Sequence, residues 1–245
     1  MGHLEQLSYL KLGLSSENLL EEGYQFLPGS AWIFPSYLSK FWDQLVDSWN
    51  YLELDTYMKK GDIYRYRKFG RFIYDDTTGH VQPIINSSFY QSKTINQYAG
   101  DVERSFTHLD DNIYKNRFLH YIIASSLHHF IETYKLTEKK WEVTLHQFRI
   151  LATKELTGLP TPEGIHQDGH KFISMHLINR QNVNGGISSI YNSDKDKLSE
   201  ITLKKPMDSL FLNDELLYHS VSPITPKSDD TSYRDILVID YNIAK

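Results

Sequence analysis

Apolar residues recur through the first half of the chain with the period of a helix. After Pro35-Ser36, the stripe Tyr37, Leu38, Phe41, Trp42, Leu45, Val46 and Trp49 predicts an amphipathic helix over about 37–49. A second stripe, Leu119, Ile122, Ile123, Leu127, Phe130, Ile131 and Tyr134, predicts a helix over about 112–135. Between them, residues 62–72 alternate aromatic and basic side chains, the pattern of a strand with one polar face. Arg65, Arg67 and Arg71 on that stretch read as a solvated strand face, or as a source of cations for a substrate carboxylate.

After Trp141 the period shortens. Strand-like segments are expected at roughly 142–151, 171–179, 186–191, 198–204, 208–213, 217–222 and 233–243. Gly185-Gly186, Asn192-Ser193-Asp194, Pro206 and the Pro223–Pro226 segment punctuate them. Many short strands separated by turns, preceded by helices that back one sheet, predict a mainly β fold with flanking helices. Its core is a double-stranded β-helix, that is, a jelly roll of cupin-like architecture. One domain over 1–245 is expected, with a helical and strand-bearing N-terminal part to about 140 and the main β-helix core over about 141–245.

Composition narrows the classes of function. Apolar residues make up 40% and aromatic residues 13%, enough for a sizeable core. The formal net charge is −5 with no basic block, which disfavours a nucleic-acid partner. There is no cysteine, so disulfides and thiolate metal sites are excluded. Any metal must then sit on histidine nitrogen and carboxylate oxygen. No apolar run reaches the roughly 20 residues needed to span a bilayer, and the first residues lack a signal-peptide pattern. A soluble, cytoplasmic protein without a membrane partner is expected; the oligomeric state is left open.

His166 and Asp168, in Pro162-Glu163-Gly164-Ile165-His166-Gln167-Asp168-Gly169, are one residue apart. In an extended segment, residues i and i+2 share a face, so both side chains can reach one ion. His219 follows 53 residues later on an expected strand. Two histidines and one carboxylate on one face of a metal make the facial triad of non-haem Fe(II) oxygenases. Taken singly, each residue also has a structural explanation: a surface turn for His166 and Asp168, a satisfied core histidine for His219. If the strand from His166 runs on without a bulge, His170, Ser174 and His176 fall on the ligand side. His170 reads as a loop residue and His176 as barrel lining, whereas His120, His128, His129 and His146 read as structural.

Arg234 shares strand parity with Ile236 and Val238, so it lies on an apolar face and needs an anion. A protein carboxylate such as Asp168 or Asp240 is one candidate, and a dicarboxylate cosubstrate is the other.

These blocks resemble a known family. Thr161 to Gly169, Leu177-Ile178-Asn179-Arg180, Gly185-Gly186, Leu145-His146-Gln147-Phe148-Arg149-Ile150 and Gly100 to Phe106 look like the bacterial Fe(II)/2-oxoglutarate dioxygenases typified by L-isoleucine 4-hydroxylase, an amino-acid hydroxylase family. The resemblance spans roughly residues 60–245. It implies Fe(II) on His166, Asp168 and His219, with 2-oxoglutarate and O₂ as cosubstrates and Arg234 on the distal carboxylate of 2-oxoglutarate. The Arg-x-Ser pattern of the wider superfamily is here Arg234-Asp235-Ile236, so the second anchor for that carboxylate must come from elsewhere.

The reading that follows is hydroxylation of a free aliphatic L-amino acid of the isoleucine, leucine or methionine type, coupled to decarboxylation of 2-oxoglutarate to succinate and CO₂. Tyr90, Gln91, Asn96 and Arg104 are the candidate substrate-binding residues. Two other readings compete with it. One is a cupin-like metal-dependent isomerase or hydrolase without 2-oxoglutarate, and the other is a non-catalytic ligand-binding barrel. The amino acid, the atom oxidised and the stereochemistry are not written in the sequence.

Overall fold

The computed structural model describes residues 17–58, 62–85 and 104–244. Its elements run α1 (Glu17–Glu22), β1 (Tyr24–Leu27), α2 (Ser39–Asp47), β2 (Glu53–Leu54), β3 (Arg65–Asp75), β4 (His80–Ile84), α3 (Asp111–Tyr114) and α4 (Arg117–Tyr134). The β-rich part follows as β5 (Lys140–Ala152), β6 (Phe172–Gln181), β7 (Val183–Gly185), β8 (Ser188–Tyr191) and β9 (Lys197–Ile201). It ends with β10 (Ser209–Asn213), β11 (Tyr218–Val221), β12 (Ile224–Pro226) and β13 (Ser232–Ile243).

Both helical stripes form helices, with local changes at their ends. The first tightens into 3₁₀ turns on either side of α2. Ser48 Oγ there donates to Leu45 O at 2.6 Å, and the Trp49 indole N–H donates to Phe148 O on the sheet at 3.0 Å. The second is broken in two. The Asn116 side chain accepts from Leu119 N at 2.9 Å and so starts α4 afresh. Its amide nitrogen donates to Phe41 O at 2.8 Å, which ties the new helix to α2.

The expected strands appear as β5, β6, β8, β9, β10, β11 and β13, and two short strands join them. Of these, β12 lies in the Pro223–Pro226 segment read as a turn. Pro226 is its last residue, where a missing N–H costs little. The large antiparallel sheet has the order β1-β10-β6-β13-β5-β3-β2, with β4 also beside β3. Opposite it lie the smaller sheets β11-β8-β9 and β12-β7, extended by bridges from His166 to His219 and from Gly158 to Ile224. Together the facing sheets make a double-stranded β-helix core.

Alternation sorts the residues of the large sheet onto two sides. Val143, Leu145, Leu237, Ile239 and Tyr241 face the helices, where Phe130 stacks on Phe172 with ring centroids 4.5 Å apart. Met175, Leu177, Leu210 and Ile236 face the small sheets and meet Ile190, Leu203 and Leu217. The expectation that His176 shares the face of His166 and Asp168 is corrected here. Gly169 takes φ 82°, the chain turns between the small and large sheets, and parity is not carried across. His176 lies on the helix side, 2.8 Å from Ser209 Oγ and edge-on to Trp32.

Candidate active site

His166 and His219 meet as a pair of main-chain partners. The His166 N–H donates to His219 O at 3.0 Å, and the His219 N–H donates to His166 O at 2.9 Å. Asp168, two residues on, completes a group whose ligand atoms all lie within 4.8 Å of one another. His219 Nε2 is 3.4 Å from Asp168 Oδ2, and His166 Nε2 is 3.5 Å from Asp168 Oδ1. His166 Nδ1 lies 3.0 Å from Gly164 O, a contact that requires the proton on Nδ1 and leaves Nε2 as the donor atom for a metal. A nitrogen, nitrogen, oxygen set in this arrangement can hold Fe(II) with one side left open.

Asp214 braces this group from behind. Its buried carboxylate accepts three successive main-chain N–H groups, from Asp168 at 3.1 Å, Gly169 at 2.8 Å and His170 at 3.0 Å. It also lies 3.8 Å from His219 Nδ1, too long for a hydrogen bond but close enough to bias that ring's tautomer. Nothing in Asn213-Asp214-Glu215 announces this role, which depends on the loop that folds over the carboxylate.

Electrostatics around the group are those of a cation site. Burial opposes charge on His166, but the Asp168 and Glu163 carboxylates outweigh it and raise its pKa to about 9. Burial also works against charge on Asp168, yet the two histidines hold it well below the usual carboxylate range. Burial and the Asp168 charge push Asp214 up to about 6. The same two influences, with Asp214 added, push Asp240 well above the usual range. A divalent cation would take the place of the protons shared here.

The group opens onto a cavity between the sheets. Arg234 lines it with Ile236 and Val238, as strand parity predicts. Its side chain is almost wholly buried, and its Nε and Nη2 have no hydrogen-bond partner among the described residues. Burial and the neighbouring Arg180 charge lower its pKa to about 10. Neither carboxylate considered from the sequence answers it. Asp168 faces the two histidines, whereas Asp240 lies 3.6 Å from both His146 Nε2 and His170 Nε2. The adjacent Asp235 is on the other face, gripped by Arg149 through two bonds of 2.7 Å.

The cavity wall toward β3 is cationic. Arg65 and Arg67 are buried and point inward, so they are not a solvated face. Both share Asp55, Arg65 through Nη2 at 2.8 Å and Arg67 through Nη1 at 3.5 Å. Arg67 also stacks on Phe106, 3.4 Å from the ring centroid, and meets His146 Nδ1 at 2.6 Å. Arg104 lies over the same Phe106 ring at 5.4 Å and lines the same cavity. Arg71 is apart from them, 3.3 Å from Glu142. His146, read as structural, is buried between Arg67 and Asp240 and also lines the cavity. His170 is a loop residue whose Nδ1 lies 2.7 Å from the Asn242 amide. Tyr90, Gln91 and Asn96 lie outside the described residues. Glu163, passed over in the sequence, stands at the rim with Oε1 3.3 Å from His166 Nε2.

Comparison with known proteins agrees with this geometry. The chain is 29% identical over 196 residues to an L-isoleucine-4-hydroxylase of Bacillus thuringiensis, covering 78% of this chain and 81% of that one. It is 25% identical over 242 residues to a 3(1)-hydroxy-L-isoleucine 4-dioxygenase of Pantoea ananatis, covering 91% and 93%. The crystal structure of a bsmA homolog from Methylobium petroleophilum superposes with a TM-score of 0.82 at 26% identity, over 95% of this chain and 93% of the other. The family model described as 2OG-Fe dioxygenase matches residues 46–240, the span that carries the two histidines, Asp168 and Arg234, and the chain belongs to that family of Fe(II)- and 2-oxoglutarate-dependent enzymes.

Proposed function

We propose that this enzyme hydroxylates a free aliphatic L-amino acid of the isoleucine, leucine or methionine class, with 2-oxoglutarate as cosubstrate. In this reading His166, Asp168 and His219 hold Fe(II), and Arg234 receives the distal carboxylate of 2-oxoglutarate. Bound iron, O₂ and 2-oxoglutarate supply the oxidant, and the cosubstrate leaves as succinate and CO₂. Family membership sets aside the isomerase, hydrolase and binding-barrel readings.

One observation carries the substrate assignment: the cavity bears a second cationic group besides Arg234. Arg65, Arg67 and Arg104 share its β3-side wall, with Asp55 as the carboxylate common to the first two. These arginines suit the carboxylate of an amino acid. Glu163 at the rim suits its ammonium, and Met175, Val221 and Val238 suit an aliphatic side chain. The names of the two curated relatives, both acting on isoleucine or a derivative of it, support the same class.

The chain's own residues then bind, orient and shield. The arginines and Glu163 fix the two charged ends of the amino acid, so the side chain is the part presented to the metal. The test incubates the Fe(II)-loaded protein with 2-oxoglutarate and a panel of free amino acids, their amides and their N-acyl forms, with succinate and product mass as readouts. Free aliphatic amino acids should stimulate succinate release and gain one oxygen. Hydroxylation of amides or N-acyl forms alone would overturn the free-amino-acid assignment.

A further inference from the structure

Arg180 stands directly across the sheet from Arg234. In the β6–β13 ladder Arg234 pairs with Arg180, whereas Ile236 pairs with Leu177 and Asp235 with Asn179. The register shifts between Asp235 and Ile236, so one residue of β6, Ile178, is passed over. Simple alternation from the inward-facing Leu177 would turn Arg180 outward. The bulge brings it onto the face of Arg234 instead.

Two like charges opposite each other on one face of a sheet repel, and burial adds to the cost. Among the described residues neither side chain has an ion pair with an acid, and both guanidinium pKa values are lowered. The Asp235 carboxylate, next in sequence to Arg234, is held on the far face by both nitrogens of the Arg149 fork. The Arg180 side chain is nevertheless aimed. Its Nη2 donates to Gly185 O at 2.7 Å and to Val183 O at 3.1 Å. Its Nη1 is buried with no hydrogen-bond partner among the described residues, like Nε and Nη2 of Arg234. The two guanidinium-bearing side chains border one small space. A methyl group on Gly186 would sit 3.0 Å from Arg180 Nη1 and 3.2 Å from Arg234 Cδ.

We propose that Arg180 and Arg234 together receive a single carboxylate, the distal carboxylate of the 2-oxo diacid cosubstrate. The proposal rests on the reading of Arg234 given above and adds the second anchor. Where an Arg-x-Ser strand offers a hydroxyl two residues after the arginine, this strand offers Ile236. The missing donor comes from the neighbouring strand as a cation. The orphaned nitrogens of both side chains then have one acceptor between them, and the repulsion between the two charges is offset by the anion. The β6 bulge and the absence of a side chain at Gly186 become requirements of the cosubstrate site.

The test is calorimetric titration of the Fe(II)-loaded protein, without O₂, with 2-oxoglutarate and with 2-oxopentanoate, which has the same carbon chain but no distal carboxylate. The wild-type protein should prefer 2-oxoglutarate. Arg180→Met should weaken 2-oxoglutarate by about tenfold or more, the scale of one charge-assisted bond, and leave 2-oxopentanoate unchanged. Arg180→Lys, which keeps the charge but not the fork, should fall between. The unchanged 2-oxopentanoate affinity also reports that the variant site is folded. Equal weakening of both acids would mean that Arg180 only holds the 183–185 turn, and an unaltered preference in Arg180→Met would likewise overturn the proposal. If Arg234→Met abolishes the preference and Arg180→Met does not, the Arg234 reading survives alone. A wild-type protein with no preference between the acids would overturn both.

Discussion

His166 and His219 are joined through their main chains, each donating its N–H to the other's carbonyl at 3.0 and 2.9 Å. Directly opposed residues of an antiparallel pair project to the same face. That relationship, rather than closeness in sequence, places the two imidazole centroids 4.3 Å apart. The rigidity of the small sheet is thereby passed to the candidate metal ligands, because β11 pairs with β8, where His219 stands opposite Ile190.

Replacing any one of the three should abolish turnover without unfolding the sheet. His166→Ala, Asp168→Ala and His219→Ala leave the two main-chain bonds in place, so far-ultraviolet circular dichroism should be retained. Bound iron, measured by elemental analysis after desalting, should fall to background. Normal turnover by Asp168→Ala, in buffer free of halide and carboxylate, would remove Asp168 from the site.

Asp214→Asn tests the brace behind the ligands. The variant retains one acceptor oxygen where the carboxylate serves three N–H groups with two. The expected result is a stability loss of about 1–3 kcal/mol, as for an unsatisfied buried donor, measured by urea unfolding of the metal-free protein. Iron affinity, measured by chelator competition, should fall by about 10- to 100-fold, as for other groups that orient metal ligands.

Arg234→Ala should raise the apparent KM for 2-oxoglutarate at least about tenfold, since a charge-assisted bond to a carboxylate is worth roughly 1.5–3 kcal/mol. Iron binding should survive. An unchanged KM for 2-oxoglutarate with a raised KM for the amino acid would show that Arg234 grips the substrate instead.

Arg104→Gln should act on the other ligand. It removes one cation from the β3-side wall, leaving Arg65 and Arg67 on Asp55. The amino-acid KM should rise by about tenfold while that of 2-oxoglutarate holds, on the same charge-assisted scale. A rise confined to 2-oxoglutarate would reverse the assignment of the two walls.

His176 predicts a pH dependence of stability. Burial lowers its folded pKa from 6.5 to about 3, so the imidazole is neutral in the sheet and takes up a proton on unfolding below about 6.5. Its contribution is complete above that pH and is lost as pH falls toward 3, at up to about 1.4 kcal/mol per pH unit. Urea unfolding at pH 7 and pH 5 should show a smaller acid loss in His176→Gln than in the wild-type protein. Parallel losses in the two proteins would mean that another group carries the effect.

Helix stripes, strand segments and the candidate triad are legible in the chain because each rests on a local period. Leu119 to Tyr134 repeat with one helical turn, Arg234, Ile236 and Val238 repeat with the pleat, and His166 and Asp168 sit two residues apart. Family blocks add the distant His219 in order. Local periodicity fails where the chain changes sheet or slips register. Gly169 breaks the parity that would have put His176 beside the triad, and the bulge at Ile178 turns Arg180 inward against simple alternation. Asn116 restarts a helix that the apolar stripe alone would have run through. Arg65 and Arg67 look solvent-facing in sequence because a charged strand face normally is. Tertiary packing closes a cavity over them and provides Asp55 as their shared carboxylate. Asp214 carries no sequence signal at all, since its three N–H partners come from a loop more than forty residues earlier. Periodicity along the chain decides which residues face a core. Which charges meet across that core depends on strand pairing, register and loop closure, and these are properties of the folded chain.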